Sequence, residues 1–192
     1  DNIGRSELRS YNIVDTISPE INDYTDQPIV DEPFIFNLWI RDNIEFDNAQ
    51  LIIKLDGILW KTIRTEELED GRWIYQVNIP SEVRSLDYTI LARDRGGNEE
   101  VFTRSIDIID FQLPNIEINT KTLPICGERY RIDLELSDNW EIEGGFLEYF
   151  FYDGVKRNIS VESGPVDLDL VPINATTLTM RAGALDIGGN WN

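Results

Sequence analysis

Aspartate and asparagine recur at matching places along the chain, in a pattern whose side-chain oxygens could bind a hard cation. The run from Ala92 to Asn98 shares five of its seven residues with the run from Ala184 to Asn190. Each run follows a segment of alternating apolar residues, which predicts a turn at the end of a β-strand. In such a turn glycine adopts positive φ, and the Asp and Asn side chains bond to nearby backbone. The chain is therefore a repeat.

Two further positions return at nearly the same spacing. Asp110 follows Asp15 by 95 residues, and an Asp-Asn pair at position 42 returns at position 138. Ca²⁺ takes about six to eight oxygen ligands, so converging carboxylates and amides could hold it. The same side chains could equally cap their turns without an ion, and the sequence leaves both interpretations open. The candidate calcium ligands are Asp15, Asp42, Asn43, Asp94 and Asn98 in the first repeat, and Asp110, Asp138, Asn139, Asp186 and Asn190 in the second.

The segments between these turns have the period of β-strands. Apolar residues alternate from Phe34 to Ile40 and again from Tyr130 to Leu136, so one face of each strand is core and the other is exposed. About seven short strands per repeat, with no helical period, predict an all-β fold of tandem immunoglobulin-like (fibronectin III-like) antiparallel β-sandwiches. The expected core is Phe34, Phe36, Leu38, Ile40, Leu51, Ile53, Trp73, Tyr75, Val77, Tyr88, Ile90 and Ala92 in the first repeat, and Tyr130, Ile132, Leu134, Leu136, Leu147, Tyr149, Val166, Leu168, Met180 and Ala182 in the second.

This topology predicts where the candidate ligands lie. In an immunoglobulin-like sandwich, the entry to the first strand, the loop after the second strand and the loop before the last strand lie at one end. The Asp and Asn residues of each repeat occupy these three places. We therefore expect them to gather at one end of each sandwich.

The charge balance excludes several classes of partner. With 36 acidic and 17 basic residues the net charge is −19, so we expect binding neither to nucleic acid nor to an anionic membrane surface. No stretch approaches the roughly 18 apolar residues of a membrane span, so direct insertion of these residues is not expected either.

The residue types most used in catalysis are scarce. The chain has no His, and its one Cys, Cys126, cannot form an intrachain disulfide. These are the residues most often used for general-base catalysis, zinc ligation and thiol chemistry, so the sequence predicts that the protein is not an enzyme. Two glycosylation sequons, at Asn158 and Asn174, are weak indicators because triplets of this kind also arise by chance.

The order of the motifs resembles a known class of repeat. Asp-x-x-x-Pro-x-Ile, which begins at Asp15 and at Asp110, is followed by Asp-Asn, Asp-Gly and Ala-x-Asp-x-x-Gly-Asn. This succession is similar to the tandem immunoglobulin-like repeats of archaeal and bacterial surface-layer and cell-surface proteins. The resemblance implies an extracellular stalk or lattice component that spaces other domains away from the cell.

The last motif also resembles a second family. Ala-x-Asp-x-x-Gly is similar to the Ala-x-Asp-x-Gly turn of cadherins, whose aspartate binds calcium at domain junctions. That resemblance implies ligand roles for Asp94 and Asp186. The other cadherin ligand motifs, including the acidic linker, are absent or reduced in this chain.

The repeat also predicts the domain boundaries. Residues 1–14 are expected to form the last strand of a truncated upstream repeat, residues 15–110 the first immunoglobulin-like domain, and residues 111–192 a second domain that lacks its own last strand. The missing strand would leave an open sheet edge in the second domain. Such an edge would recruit a partner, with the N-terminal strand of another copy as the expected donor.

These observations together predict a non-enzymatic structural or spacer module of an extracellular, S-layer-like cell-surface protein. A calcium-dependent adhesion module and an accessory binding domain of a secreted hydrolase are the alternatives. No cofactor is required, and Ca²⁺ is the one ion that the acidic loops suggest. The expected partners are neighbouring repeats of the same chain, together with a second copy at the open sheet edge.

Overall fold

A computed structural model describes residues 8–10, 12–66, 68–152 and 154–192. These residues form two compact units. The first comprises the described residues up to Pro28, with Pro33–Asn78 and Arg84–Asp107, and the second comprises Ile29–Glu32, Ile79–Val83 and Ile108–Asn192. All thirteen elements in the described part of the chain are β-strands. No helix in that part has the length and apolar character needed to cross a bilayer.

The first unit contains seven antiparallel strands in two sheets. The strands are β1 (Glu20–Asp23), β2 (Pro33–Arg41), β3 (Phe46–Leu55), β4 (Ile58–Thr65), β5 (Arg72–Asn78), β6 (Ser85–Asp94) and β7 (Glu99–Asp107). One sheet has the order β1-β2-β5 and the other has the order β4-β3-β6-β7. This is the two-sheet arrangement of an immunoglobulin-like sandwich, and the predicted fold class is confirmed.

Alternation along the strands places the core of the first unit between its two sheets. Phe36 and Leu38 of β2 are fully buried, whereas their neighbours on the opposite parity are exposed or half-buried. The Phe36 ring meets the Tyr88 ring of β6 edge-on, with 5.1 Å between centroids, so this contact joins the two sheets. One expected core residue of this unit, Tyr75, is only half-buried. It lies on β5, an edge strand of its sheet.

The second unit contains six strands among the described residues. They are β8 (Asn115–Asn119), β9 (Arg129–Ser137), β10 (Ile142–Phe151), β11 (Arg157–Val161), β12 (Gly164–Leu170) and β13 (Leu178–Asp186). Their orders are β12-β9-β8 in one sheet and β11-β10-β13 in the other. Beyond β13, Trp191 forms an antiparallel bridge with Leu185, and Asn192 exchanges backbone hydrogen bonds with Ala184.

The core of the second unit follows the same alternation. Seven of the ten expected residues are buried, while Val166, Met180 and Ala182 are only partly buried against the cluster. These three lie on β12 and β13, each of which is an edge strand of its sheet. The sequence pattern missed Phe151, which is fully buried at the end of β10.

The predicted N-terminal strand lies largely outside the described residues. Of residues 1–14, the described ones are 8–10 and 12–14, and they lie outside any strand. The side chains of Leu8, Ile13 and Val14 are exposed. The domain boundaries 15–110 and 111–192 stay a prediction, because contacts group residues 29–32 and 79–83 with the second unit.

Candidate metal centre

Three aspartates converge in the first unit, and we call them the first cluster: Asp15, Asp42 and Asp94. One carboxylate oxygen from each lies within 4.8 Å of the other two. Asp15 precedes β1, Asp42 directly follows β2, and Asp94 is the last residue of β6. The three chain segments therefore reach the same place because the sheet order brings the entry of the unit and two loops together.

Two carboxylates of the first cluster divide their oxygens between a turn and the cluster. Asp15 Oδ1 accepts hydrogen bonds from Ile17 N at 3.1 Å and Asn43 Nδ2 at 3.2 Å, and Asp42 Oδ2 accepts one from Ile44 N at 3.0 Å. These bonds close Asx-type turns. The other oxygens, Asp15 Oδ2 and Asp42 Oδ1, are buried and have no hydrogen-bond partner among the described residues.

The third carboxylate of this cluster is fully engaged by its own loop. Asp94 is 1% exposed, and it accepts hydrogen bonds from Asn98 N at 2.8 Å and from Asn98 Nδ2 at 2.8 Å. Burial acts to raise the pKa of Asp94, but hydrogen bonds from Asn98, Gly97 and Gly96 outweigh it and hold the pKa below its ordinary value. Gly97 has φ 90°, a conformation that favours glycine. The repeated Asp and Asn thus shape the turn.

Three aspartates occupy the same places in the second unit and form the second cluster: Asp110, Asp138 and Asp186. One oxygen from each again lies within 4.8 Å of the others. Asp110 precedes β8, Asp138 directly follows β9, and Asp186 ends β13. Asp110 and Asp186 are 4% and 0% exposed, so this cluster is more deeply buried than the first, in which Asp15 and Asp42 are half-buried.

The second cluster also contains turn bonds and unsatisfied oxygens. Asp110 Oδ1 accepts a hydrogen bond from Gln112 N at 2.9 Å, and Asp138 Oδ2 accepts one from Trp140 N at 3.0 Å. Asp110 Oδ2 and Asn139 Oδ1 are buried without a hydrogen-bond partner in the described part of the chain. Buried polar atoms of this kind are uncommon and call for an explanation.

The last loop of the second unit repeats the arrangement around Asp94. Asn190 N and Nδ2 donate to the two oxygens of Asp186 at 2.9 and 3.0 Å, and Nδ2 also donates to Asp110 O at 3.2 Å. Asn139 makes a different contact, because its Nδ2 donates to Ser81 O at 3.2 Å. Trp140 Nε1 donates to the same carbonyl oxygen at 3.1 Å.

The second cluster concentrates negative charge in a buried place. Burial raises the pKa of Asp138, and the nearby charges of Asp186 and Asp110 raise it further. Across the described residues, no ion pair links any of these three carboxylates to an Arg or Lys. The like charges therefore have no opposite side-chain charge to offset them.

The structure accounts for the ten candidate ligands in distinct ways. The six aspartates form the two clusters, Asn98 and Asn190 bond to one aspartate in each, and Asn43 bonds to Asp15. Asn139 lies beside Asp138 but donates to the loop at Ser81, a contact that the sequence spacing does not reveal. The two sequon asparagines, Asn158 on β11 and Asn174 in a loop, are exposed and do not belong to either cluster.

Two other surface features use their polar groups in contacts within the fold. A cleft of about 750 Å³ beside β10, β11 and β12 contains Asp167, which accepts two hydrogen bonds from Arg131 at 2.6 and 2.8 Å. The guanidinium of Arg41 lies over the Trp39 ring, 4.1 Å from its centroid. That face of the indole is occupied by a side chain of the same unit, which leaves less room for a stacked ligand.

Comparison with known proteins bears on the fold. No family model and no curated protein matches the chain. The crystal structure of a tetra-tandem repeat in the extending region of a large adhesion protein matches with a TM-score of 0.54 and 16% identity, covering 91% of this chain and 47% of that chain. The likeness is one of fold. This chain thus spans about half the length of the adhesion-protein structure.

Two other solved structures overlap more loosely. Fibronectin(III)-like modules of Clostridium thermocellum CbhA match with a TM-score of 0.36 and 8% identity, covering 90% of this chain and 89% of theirs. A solved structure from a 1.5-MDa bacterial ice-binding adhesin matches with a TM-score of 0.36 and 11% identity, covering 92% of this chain and 62% of the chain in that structure. The tandem immunoglobulin-like architecture therefore stands on the strand topology and the first match.

Proposed function

We propose that the chain is a non-enzymatic spacer module of an extracellular, S-layer-like cell-surface protein. The observation that carries this proposal is the use of the repeated motif residues to close loops. Asn98 Nδ2 alone donates to Asp94 Oδ2 at 2.8 Å and to two backbone carbonyl oxygens, those of Asp15 and Ile17, at 3.3 Å. Such loops hold a sandwich in shape under load.

Three further observations support a spacer role. The two-sheet sandwich occurs twice in one chain, as expected for an array of repeats. The matching fold belongs to a tandem repeat in the extending region of an adhesion protein. The net charge of −19 also suits a surface exposed to solvent along its length, because a high net charge keeps such a surface soluble. An accessory binding domain would instead need an open ligand face, and one face of the Trp39 ring is already covered by Arg41.

The spacer role predicts mechanical resistance that depends on the loop bonds. The chain would be held between two reference domains and stretched in an atomic force microscope. Each unit should unfold in a single event that releases roughly 30 nm of chain, at about 3.5 Å per residue. Asn98→Ala should lower the unfolding force of one unit only, because it removes the donor to Asp94 and to two carbonyl oxygens.

The control variant is Asn78→Ala, which changes an exposed asparagine at the end of β5 and should leave both unfolding forces unchanged.

A pull-down with insoluble polysaccharides and a glycan array test the alternative role, that of an accessory binding domain. Saturable binding to a polysaccharide, abolished by Trp39→Ala, would replace the spacer role with a binding role. Unfolding of both units at forces too low to measure would also contradict the spacer role.

The second candidate function is calcium-dependent adhesion. The two acidic clusters are the observation that favours it, since an ion at either place would tie three segments of a unit together. A requirement for calcium in adhesion would appear as cell or surface attachment by the chain that EDTA reverses.

A further inference from the structure

The second cluster combines like charge and burial, and no Arg or Lys among the described residues forms an ion pair with it. Oxygens from Asp110, Asp138 and Asp186 lie within 4.8 Å of one another. At such separations carboxylates repel strongly unless a cation or a proton lies between them. Turn capping explains one oxygen of Asp110 and one of Asp138, through the backbone N–H groups of Gln112 and Trp140. It does not explain why the carboxylates are brought together.

The unsatisfied oxygen of Asp110 is the observation that points to a ligand. Asp110 is 4% exposed, its Oδ1 is bonded to Gln112 N, and its Oδ2 has no hydrogen-bond partner within the described chain. A buried carboxylate oxygen without a donor costs free energy that a bound cation would recover. Since Oδ1 faces its own turn, we infer that Oδ2 is the oxygen that faces the other two carboxylates.

The chemistry of the donors selects the class of cation. We propose that Asp110, Asp138 and Asp186 bind Ca²⁺, with the buried Oδ1 of Asn139 as a fourth protein oxygen. The donors are all oxygens, without the imidazole or thiolate ligands that zinc and copper prefer. The ligands come from separate loops, which suits the flexible coordination of Ca²⁺ better than the strict octahedron of Mg²⁺.

The bound ion would have a structural consequence. Asp110 lies before β8, Asp138 lies between β9 and β10, and Asp186 ends β13. An ion held by all three would link segments of both sheets of the second unit. It would also cancel two of the three negative charges of the cluster. Binding to the native state alone stabilises it by an amount that grows with ion concentration. The site stands on this cluster alone and does not depend on the spacer role.

The experiment is a titration of the full 192-residue chain, after treatment with EDTA, with Ca²⁺ by calorimetry and with Tb³⁺ by luminescence. Trp140 donates its backbone N–H to Asp138, so its indole is near enough to sensitise terbium emission. The test variant is the double variant Asp110→Asn and Asp138→Asn. The control is Asp167→Asn, which removes one carboxylate from the same unit outside the cluster.

The expected results differ between these proteins. The wild type and Asp167→Asn should bind Ca²⁺ and emit sensitised terbium light, and Mg²⁺ should compete at least tenfold more weakly. The double variant should lose one equivalent of Ca²⁺ and at least nine-tenths of the emission. If the double variant does not fold, Asp138→Asn replaces it, because the amide oxygen can still accept from Trp140 N.

Three outcomes would overturn the proposal. The first is a wild-type chain that binds neither ion at millimolar concentration. The second is a folded variant that binds Ca²⁺ with the affinity and stoichiometry of the wild type, which would place the ion elsewhere. The third is equal affinity for Mg²⁺ and Ca²⁺, which would contradict the calcium assignment. A low unfolding force in the stretching experiment is a separate result, and it tests the spacer role alone.

Discussion

The Asp23 carboxylate of the first unit is buried and accepts hydrogen bonds from neighbouring side chains. Its side chain is 3% exposed, and it accepts hydrogen bonds from the Tyr88 hydroxyl and, at 2.8 Å, from Arg104 Nη1. Burial acts to raise the pKa of Asp23. Hydrogen bonds from Thr25, Tyr88 and Arg104 outweigh burial and leave the pKa below its ordinary value.

The lowered pKa of Asp23 predicts how stability depends on pH. A carboxyl whose folded pKa is depressed stabilises the fold above its unfolded pKa, here about 3.8, and loses that contribution as pH falls through the folded pKa. Asp23→Asn should therefore lower the free energy of unfolding at pH 7 by about 1.5 to 3 kcal/mol, the range for hydrogen bonds to charged groups. Its deficit relative to wild type should shrink below pH 4.

Urea unfolding between pH 7 and pH 2.5 measures this difference. Asp26→Asn is the matched control, because Asp26 is exposed and lies three residues away. A deficit that stays constant down to the lowest pH would show that Asp23 stabilises the fold without its charge. The Arg104 guanidinium would then contribute through packing rather than through attraction to the carboxylate charge.

At the scale of the element, alternation in the sequence predicted the strands well where one face of a strand is buried. In β2 and β9 the parity of apolar residues matches the observed burial. The prediction was less accurate on edge strands, where Tyr75 and Met180 are only half-buried. Their exposure depends on which strands become neighbours, and local periodicity carries no such information.

The sequence predicted the position of the candidate site but not its individual contacts. The predicted topology placed each set of Asp residues at one end of its sandwich, and in the structure the three aspartates of each set lie close to one another. The sequence could not show that Asp110 leaves one oxygen unsatisfied or that Ser81 receives a bond from Asn139. Both features arise from contacts between segments far apart in the chain. The turn-cap and cation interpretations are compatible at Asp15, Asp42, Asp110 and Asp138, because the turn there uses only one of the two carboxylate oxygens.

The packing of β10 against β9 leads to a prediction about two adjacent glycines. A Cβ added to Gly145 would lie 2.7 Å from Leu136 Cδ1 and 3.2 and 3.3 Å from two backbone carbonyl oxygens. A Cβ added to Gly144 would meet nothing within 4 Å. Gly145→Ala should therefore lower the free energy of unfolding by about 1 to 3 kcal/mol, the usual cost of overpacking a core.

Gly144→Ala is the control in the same strand, and it should be neutral or slightly stabilising because alanine reduces the entropy of the unfolded chain. Chemical unfolding of both variants, followed by tryptophan fluorescence, gives the comparison. Equal stabilities would mean that Leu136 changes rotamer without cost. The close approach of β9 and β10 would then not limit the size of the residue at this position.

At the scale of the whole molecule, excess negative charge should make stability depend on salt. The chain carries 36 acidic and 17 basic residues, and self-repulsion at this ratio destabilises the compact state. Raising NaCl from about 0.01 M to 1 M shortens the screening length from about 30 Å to about 3 Å, so the repulsion between surface charges should largely vanish. With EDTA present throughout, this increase in NaCl should raise the melting temperature by several degrees, since 1 kcal/mol corresponds to about 4 to 8 °C in a domain of this size.

Screening and specific binding can be separated by concentration. Millimolar CaCl₂ adds little ionic strength, so a rise in melting temperature that saturates in this range reports a bound ion, whereas a gradual rise with NaCl reports screening. NaCl at the ionic strength of the CaCl₂ solution is the control. If NaCl leaves the melting temperature unchanged in EDTA, the surface charges are too far apart to oppose folding. The acidic composition would then affect solubility and association between chains rather than the stability of each unit.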